Sequence, residues 1–415
     1  MAVACGRLST ELVLPGMKTL SPEVADGLGV PSGGWFDLSL PAVTELSFPA
    51  AAALARHHGV LRLEGLVSLP EPVGVELARH STTVELAWPP DLSPPAATAL
   101  VQRTGNLHFL RPIRLDPDLA RSLAAFRGWL TLAGPVEGLD SAVARELVRQ
   151  PGTLDVAGPF VLDQETAAIL VTKPTGLYVR GLTRLDVELA RALAARTEGL
   201  DFFHLEQLTP AAAAALAGQR NGRIAFDALQ TIDPEVAAAL ATQDGSLWFR
   251  GPATISDNSA LALGDHDGWL RLGTPTLSAA AARGLARNRG LLSLVGLREL
   301  PEDVAAALAA AGDLDLAGPF TLEPPAAEAL AKHGGELWLG GIKELTGPNA
   351  QTVARSLAGK PGTVKLLGLA VMSLRPLEIL AAGDRVEFPD VEELRVVPDY
   401  GAGVLDDVVV PDDPR

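Results

Sequence analysis

Apolar residues return along this chain in fixed phase. A first inward strand position runs as Leu12, Phe36, Leu61, Val84, Leu107, Leu130, Leu154, Leu177 and Leu200. It continues as Ile224, Leu247, Leu270, Leu292, Leu314, Leu337, Val364 and Val386, seventeen copies in all and mostly 22 to 25 residues apart. Two residues after each stands a second apolar residue, from Leu14 and Leu38 through Phe226 and Phe249 to Leu366 and Phe388. An Leu or Ile usually follows eight residues after the first (Leu20, Leu69, Leu115, Leu208, Ile232, Leu345), and a further Leu after sixteen (Leu28, Leu77, Leu123, Leu240, Leu308). The leading pair, with one residue between, has the period of a short half-buried strand. The trailing Ala-rich stretch has the composition of a short helix. Residues 222–244, GRIAFDALQTIDPEVAAALATQD, show the whole unit: Ile224 and Phe226 in a strand, then a helix starting at Asp233-Pro234-Glu235 and carrying Leu240 inward.

Each unit carries its own punctuation. Gly65, Gly134, Gly158, Gly181, Gly251, Gly296, Gly318 and Gly368 follow the strand, where a positive φ is expected to let the chain turn. Ser21-Pro22-Glu23, Asp116-Pro117-Asp118, Thr209-Pro210 and Asp233-Pro234-Glu235 read as capped helix starts. Basic residues gather at the other end (Arg56, Arg79, Arg103, Arg127, Arg149, Lys173, Arg196, Arg220, Arg287, Lys332), as the helix dipole favours. His57, His58, His80 and His333 share that location and the same expected capping role.

One such unit buries too little to fold alone, so neighbours must stack and supply the missing core. The expected architecture is an α/β solenoid of about 17 repeats, with a parallel sheet of short strands on one face and short Ala-rich helices on the other. The array spans 11–394, after an N-terminal segment 1–10 and before a C-terminal cap and acidic tail, 395–415, ending in Asp412, Asp413, Pro414 and Arg415. The unit, with L-x-L followed by L-x-x-L as in Leu61-Arg62-Leu63 and Leu66-Val67-Ser68-Leu69, resembles the leucine-rich repeat family. It looks most like the Gly-Leu-x-x-Leu tandem arrays of bacterial, including planctomycete, proteins. Gly or Ala stands where that family usually has an Asn after the strand. The resemblance implies a recognition scaffold and brings no catalytic residues with it. Two irregularities mark the array. The interval from Leu337 to Val364 is 27 residues, with extra material near Thr346-Gly347-Pro348-Asn349, which predicts a longer loop or an added turn. Segments 154–170 and 314–330, LDVAGPFVLDQETAAIL and LDLAGPFTLEPPAAEAL, are alike enough to suggest duplication of a block.

Composition narrows the function further. A net charge of −16 repels phosphate backbones and argues against nucleic acid. No apolar run approaches the roughly 18 residues that cross a bilayer, so no membrane partner is expected. Met1 to Thr10 lacks a signal-peptide pattern. The lone Cys5 excludes an internal disulfide framework and fits a reducing, cytoplasmic location. Phosphate-binding, zinc-protease and serine-hydrolase motifs are missing. Neither an enzyme nor any cofactor or metal is therefore expected. Outward carboxylates at Asp37, Glu85, Asp155, Asp201, Asp315 and Glu387 read as solvated side chains; His108 is the one histidine at an outward strand position.

The informative residues are the large ones facing outward. Trp35, Trp129, Trp248, Trp269 and Trp338 take outward strand positions, and Trp88 sits at the turn. The densest patch combines Tyr178, Arg180, Asp201, Phe203, Arg223, Asp227, Trp248, Arg250, Trp269 and Arg271 on five successive strands. Trp and Arg dominate binding hot spots, and Arg250 and Arg271 stand where cation–π pairs with Trp248 and Trp269 can form. A protein or peptide ligand is the expected partner. The rival expectation is a carbohydrate stacked on the tryptophans, and the bland one is mere cross-strand cover.

Overall fold

In the computed structural model the described residues are 10–29, 36–86, 94–102, 105–174, 176–196, 199–220, 222–251, 254–382, 385–389 and 394–399. Trp35, Trp88, Cys5, Arg103 and the acidic end of the tail lie outside them. The chain divides into two compact units, Met1–Glu206 and Gln207–Arg415. The first holds an eight-stranded parallel sheet in chain order, from Thr10–Val13 to Leu177–Tyr178. In the second, strands again follow chain order from Arg223–Phe226 to Val386–Glu387. Register matches equivalent residues: Leu61 with Val84, Leu107 with Leu130, Ile224 with Leu247, Leu314 with Leu337.

The expected inward positions are inward. From Leu61 to Val364 every leading strand residue is buried, and so is each partner two residues on. Leu12 is exposed because its strand has a neighbour on one side only. Behind the sheet stand helices mostly of seven residues, about two turns. Most bury the same three positions, as Val143, Ala144 and Leu147, or Ala212, Ala213 and Leu216. The central small residue lets consecutive helices pack closely, and each buried Leu contributes about 1.5–3 kcal/mol. Asp116 caps its helix by accepting from the Leu119 N–H at 2.8 Å, and Thr209 does so from Ala212 at 3.2 Å. Asp233 stands at the N-cap position without making the side-chain bond. The long interval near Gly347 is taken up by a turn, with Gly347 at φ +81°, and by a nine-residue helix, Ala350–Ala358. A second set of very short parallel strands passed unnoticed in the sequence, pairing Ile113 with Val136 and Thr231 with Thr254.

Two expectations are corrected. None of the eight glycines after the strand has a positive φ; among the described glycines only Gly138, Gly176 and Gly347 do. The column serves close stacking instead. A Cβ on Gly158 would fall on the carbonyl of Gly134, one on Gly181 on that of Gly158, and one on Gly296 on that of Gly273. With no side chain, each repeat's backbone settles directly onto the last.

The second correction concerns the helix C-terminal ends. His57, His80, Gln150, Lys173, Gln219, Gln243, His266, Asn288, His333 and Lys360 are all buried, one per repeat, where the chain turns from helix to strand. Of the groups expected at the surface there, Lys173, His57, His80 and His333 are buried in this column. Arg56, Arg79, Arg127, Arg149, Arg220, Arg287 and Lys332 are exposed at the helix ends as expected. The buried groups reach into the preceding repeat: Lys173 Nζ donates to the Gln150 and Gly152 carbonyls at 2.5 and 2.8 Å, Gln243 Nε2 to Gly222 at 2.8 Å, and Asn288 Nδ2 to His266 at 2.5 Å. Arg196 bonds Val171 and Lys173 in the same way. Buried carbonyls at each turn need donors. This column supplies them.

Candidate recognition surface

In the second unit Trp248 stands in register with Ala225 on one side and Arg271 on the other. Three guanidiniums gather on its ring, those of Arg223, Arg250 and Arg271, at 4.8, 5.1 and 5.4 Å from the centroid. Trp269 meets Trp248 edge to face at 4.9 Å. Arg250 also pairs with Asp227 at 3.2 Å. The aromatic–arginine grouping read from the sequence is thus assembled, although all three arginines crowd one indole. Ala225, at an outward position beside Trp248 in the next strand, is fully buried. The indole N–H groups of Trp248 and Trp269 are both shielded from solvent with no acceptor among the described residues.

The other named residues belong to the first unit. Arg180 lies over the Phe203 ring at 4.7 Å and near Tyr178 at 5.9 Å. Its Nε donates to Asp155 Oδ1 at 2.8 Å, and a second guanidinium nitrogen pairs with Oδ2. Asp155 has no exposed surface, so the expectation of a solvated carboxylate fails there. Burial of a carboxylate is tolerable only with such a partner. Tyr178 stacks on Trp129 at 5.7 Å with rings 7° from parallel, a contact across two strands that linear spacing does not announce. Asp201 is half-buried on the same face.

Nearer the start of the chain, Asp37 and Glu85 are not isolated either. Arg62 reaches Glu85 and Glu11 at 2.9 Å each and Asp37 at 3.5 Å. His108 stands 3.9 Å from Glu85. Burial pushes the Glu85 carboxyl above the ordinary carboxylate range against the pull of Arg62. One guanidinium thus ties together three carboxylates on this face.

No helix among the described residues is long and apolar enough to cross a membrane. No family model and no curated protein matches the chain. Solved structures do. An internalin of Listeria monocytogenes is 16% identical with a TM-score of 0.37, over 89% of this chain and 90% of that one. A leucine-rich-repeat protein of Leptospira interrogans is 16% identical with a TM-score of 0.42, over 93% and 96%. The mouse RP105/MD-1 complex gives 13% identity and a TM-score of 0.40, over 88% and 73%. In both units the strand, the turn and the helix behind it repeat as in a leucine-rich-repeat solenoid, and that is the fold of this chain.

Proposed function

We propose that the chain is a non-catalytic recognition scaffold that binds a protein or peptide on the strand-lined face of its second unit, through Trp248, Trp269, Arg223, Arg250 and Arg271. The carrying observation is the pair of indole donors held out of water without acceptors. Each such group costs about 1–3 kcal/mol, which cover alone would not favour and which a partner's carbonyls can relieve once the guanidiniums move aside. Arg180 is engaged with Asp155, so in the first unit Tyr178, Phe203 and Asp201 are the contact residues. A cytoplasmic location, argued from the single cysteine, belongs to the same reading.

Trp248→Ala with Trp269→Ala is expected to abolish capture of the partner while moving the thermal midpoint by only a few degrees. A collapse of the melt would make these rings structural and sink the proposal. A sugar stacking on Trp248 would compete with three guanidiniums already gathered on its ring. Tryptophan fluorescence is therefore expected to stay flat when oligosaccharides are titrated in.

A further inference from the structure

The two similar blocks, 154–170 and 314–330, are each followed by a strand with an outward aromatic, Tyr178 in the first unit and Trp338 in the second. Each aromatic is in register with the aspartate of its block, Tyr178 with Asp155 and Trp338 with Asp315. Two residues later the sequences part: Arg180 in one, Gly340 in the other. Arg180 fills the space between its aspartate, Tyr178 and Phe203. Where Gly340 stands there is instead a hollow of about 300 Å³, lined by Leu291, Asp315, Trp338, Gly340, Lys365 and Leu367. A Cβ placed on Gly340 would meet nothing within 4 Å, unlike the tightly stacked glycines nearby.

We infer that this hollow receives an arginine side chain of a partner polypeptide, seated on Asp315 and Trp338 as the chain's own Arg180 is seated on Asp155 and Tyr178. Asp315 is partly exposed and accepts one hydrogen bond, from Ser293 Oγ at 2.6 Å, which leaves acceptor capacity on the carboxylate. Leu367 occupies the position of Phe203, three residues past the leading strand residue, and is 53% exposed, an apolar wall with nothing on it. Lys365 lies 5.0 Å over Trp338 and is a like charge to the guest. It is answered by Glu336 at 3.4 Å and Glu387 at 3.8 Å, which leaves Asp315 as the lining carboxylate for a guest cation. A chain of net charge −16 draws basic segments from a distance. A guanidinium suits the hollow better than an ammonium because it pairs with a carboxylate in plane and stacks on an indole with its face. The site stands apart from the Trp248 cluster and does not depend on the role proposed for it.

The test titrates the full chain with an uncharged Gly-Ser peptide bearing one central arginine, and with the same peptide bearing lysine or citrulline, followed by calorimetry. Arginine is expected to bind at least about tenfold more tightly than either replacement. Gly340→Arg, which supplies the guanidinium from within, and Asp315→Asn are each expected to weaken it about tenfold or more, with Gly340→Arg melting at or above the wild type. Asp315→Asn keeps the question decidable should Gly340→Arg fold poorly. Equal binding of lysine and arginine, wild-type binding by either variant, or no arginine binding at millimolar concentration would overturn the inference. Binding lost in Trp248→Ala/Trp269→Ala but kept in Gly340→Arg would likewise refute it while upholding the Trp248 surface as a binding face.

Discussion

Segments 154–170 and 314–330 share their strand, turn, helix and inward residues, yet they present unlike surfaces. Asp155 is sealed beneath Arg180, while Asp315 stays partly open beside a hollow because Gly340 takes the arginine's place. The side chain that decides each aspartate's fate belongs to the following repeat. In a stack with parallel register, exposure is set across the strands as much as along them. Ala225 is consistent with this: its own position is outward, yet it is fully buried beside Trp248 of the next strand.

That contrast can be broken at several places. The largest effect is expected from Arg180→Ala, which strands a buried carboxylate; a loss of about 3 kcal/mol is expected in denaturant unfolding, whereas the glycine already at 340 shows that the second block needs no such partner. Next come Gly158→Ala and Gly318→Ala. A methyl at either position strikes the backbone of the preceding repeat, Gly134 or Leu297. Both should lose about 2 kcal/mol, equally in the two blocks, since the stacking column is common to them; a loss confined to one block would show that the column is not.

A smaller difference lies in the buried polar column. The first block carries Lys173 there and the second His333, whose ring nitrogens lie 3.3 Å from the Ala309 carbonyl and 3.2 Å from that of Glu336. Burial holds the His333 imidazole below its ordinary range, and His57 and His266 are shifted the same way for the same reason. With the folded value below the unfolded one, the unfolded chain takes up protons first. Stability is therefore complete above about pH 6.5 and falls as the pH drops below it. His333→Gln should flatten that fall by up to about 1 kcal/mol between pH 7 and pH 5.5, read as denaturation midpoints at the two pH values; an unchanged pH profile would mean that this imidazole is not held neutral by its surroundings. Smallest of all is Gly340→Arg, where no loss and a gain under about 1 kcal/mol are expected.

Much of the fold was legible in the sequence because the leading strand residues, the residues two beyond them and the helical Leu repeat the same chemistry in the same phase. Leu61 through Val364 needed only that phase to be placed inside. The buried polar column was not legible as such. Gln150, Lys173, His266, Asn288 and His333 are unlike residues doing one job, donating to a carbonyl one repeat back, and only their shared place in the repeat betrays them. The glycines misled differently: close approach and positive φ both demand glycine, and a sequence does not separate them. On the outward face the sequence named Trp248, Trp269 and the arginines around them, but it set Arg180 among the free contacts and Asp155 in solvent. Their pairing depends on side chains of consecutive repeats meeting, which spacing alone leaves open.

The central claim is that recognition belongs to the strand-lined face of the second unit and not to the helices behind it. It is tested most directly by measuring partner affinity for three proteins side by side: the wild type, Trp248→Ala/Trp269→Ala, and Leu261→Lys, which places a charge at an exposed apolar position on the helix Asp257–Leu263. The expected result is wild-type affinity for the helix-side variant and a loss of at least about a hundredfold for the strand-face variant, with similar melting for all three. Loss of binding on the helix side with affinity kept on the strand face would contradict the claim.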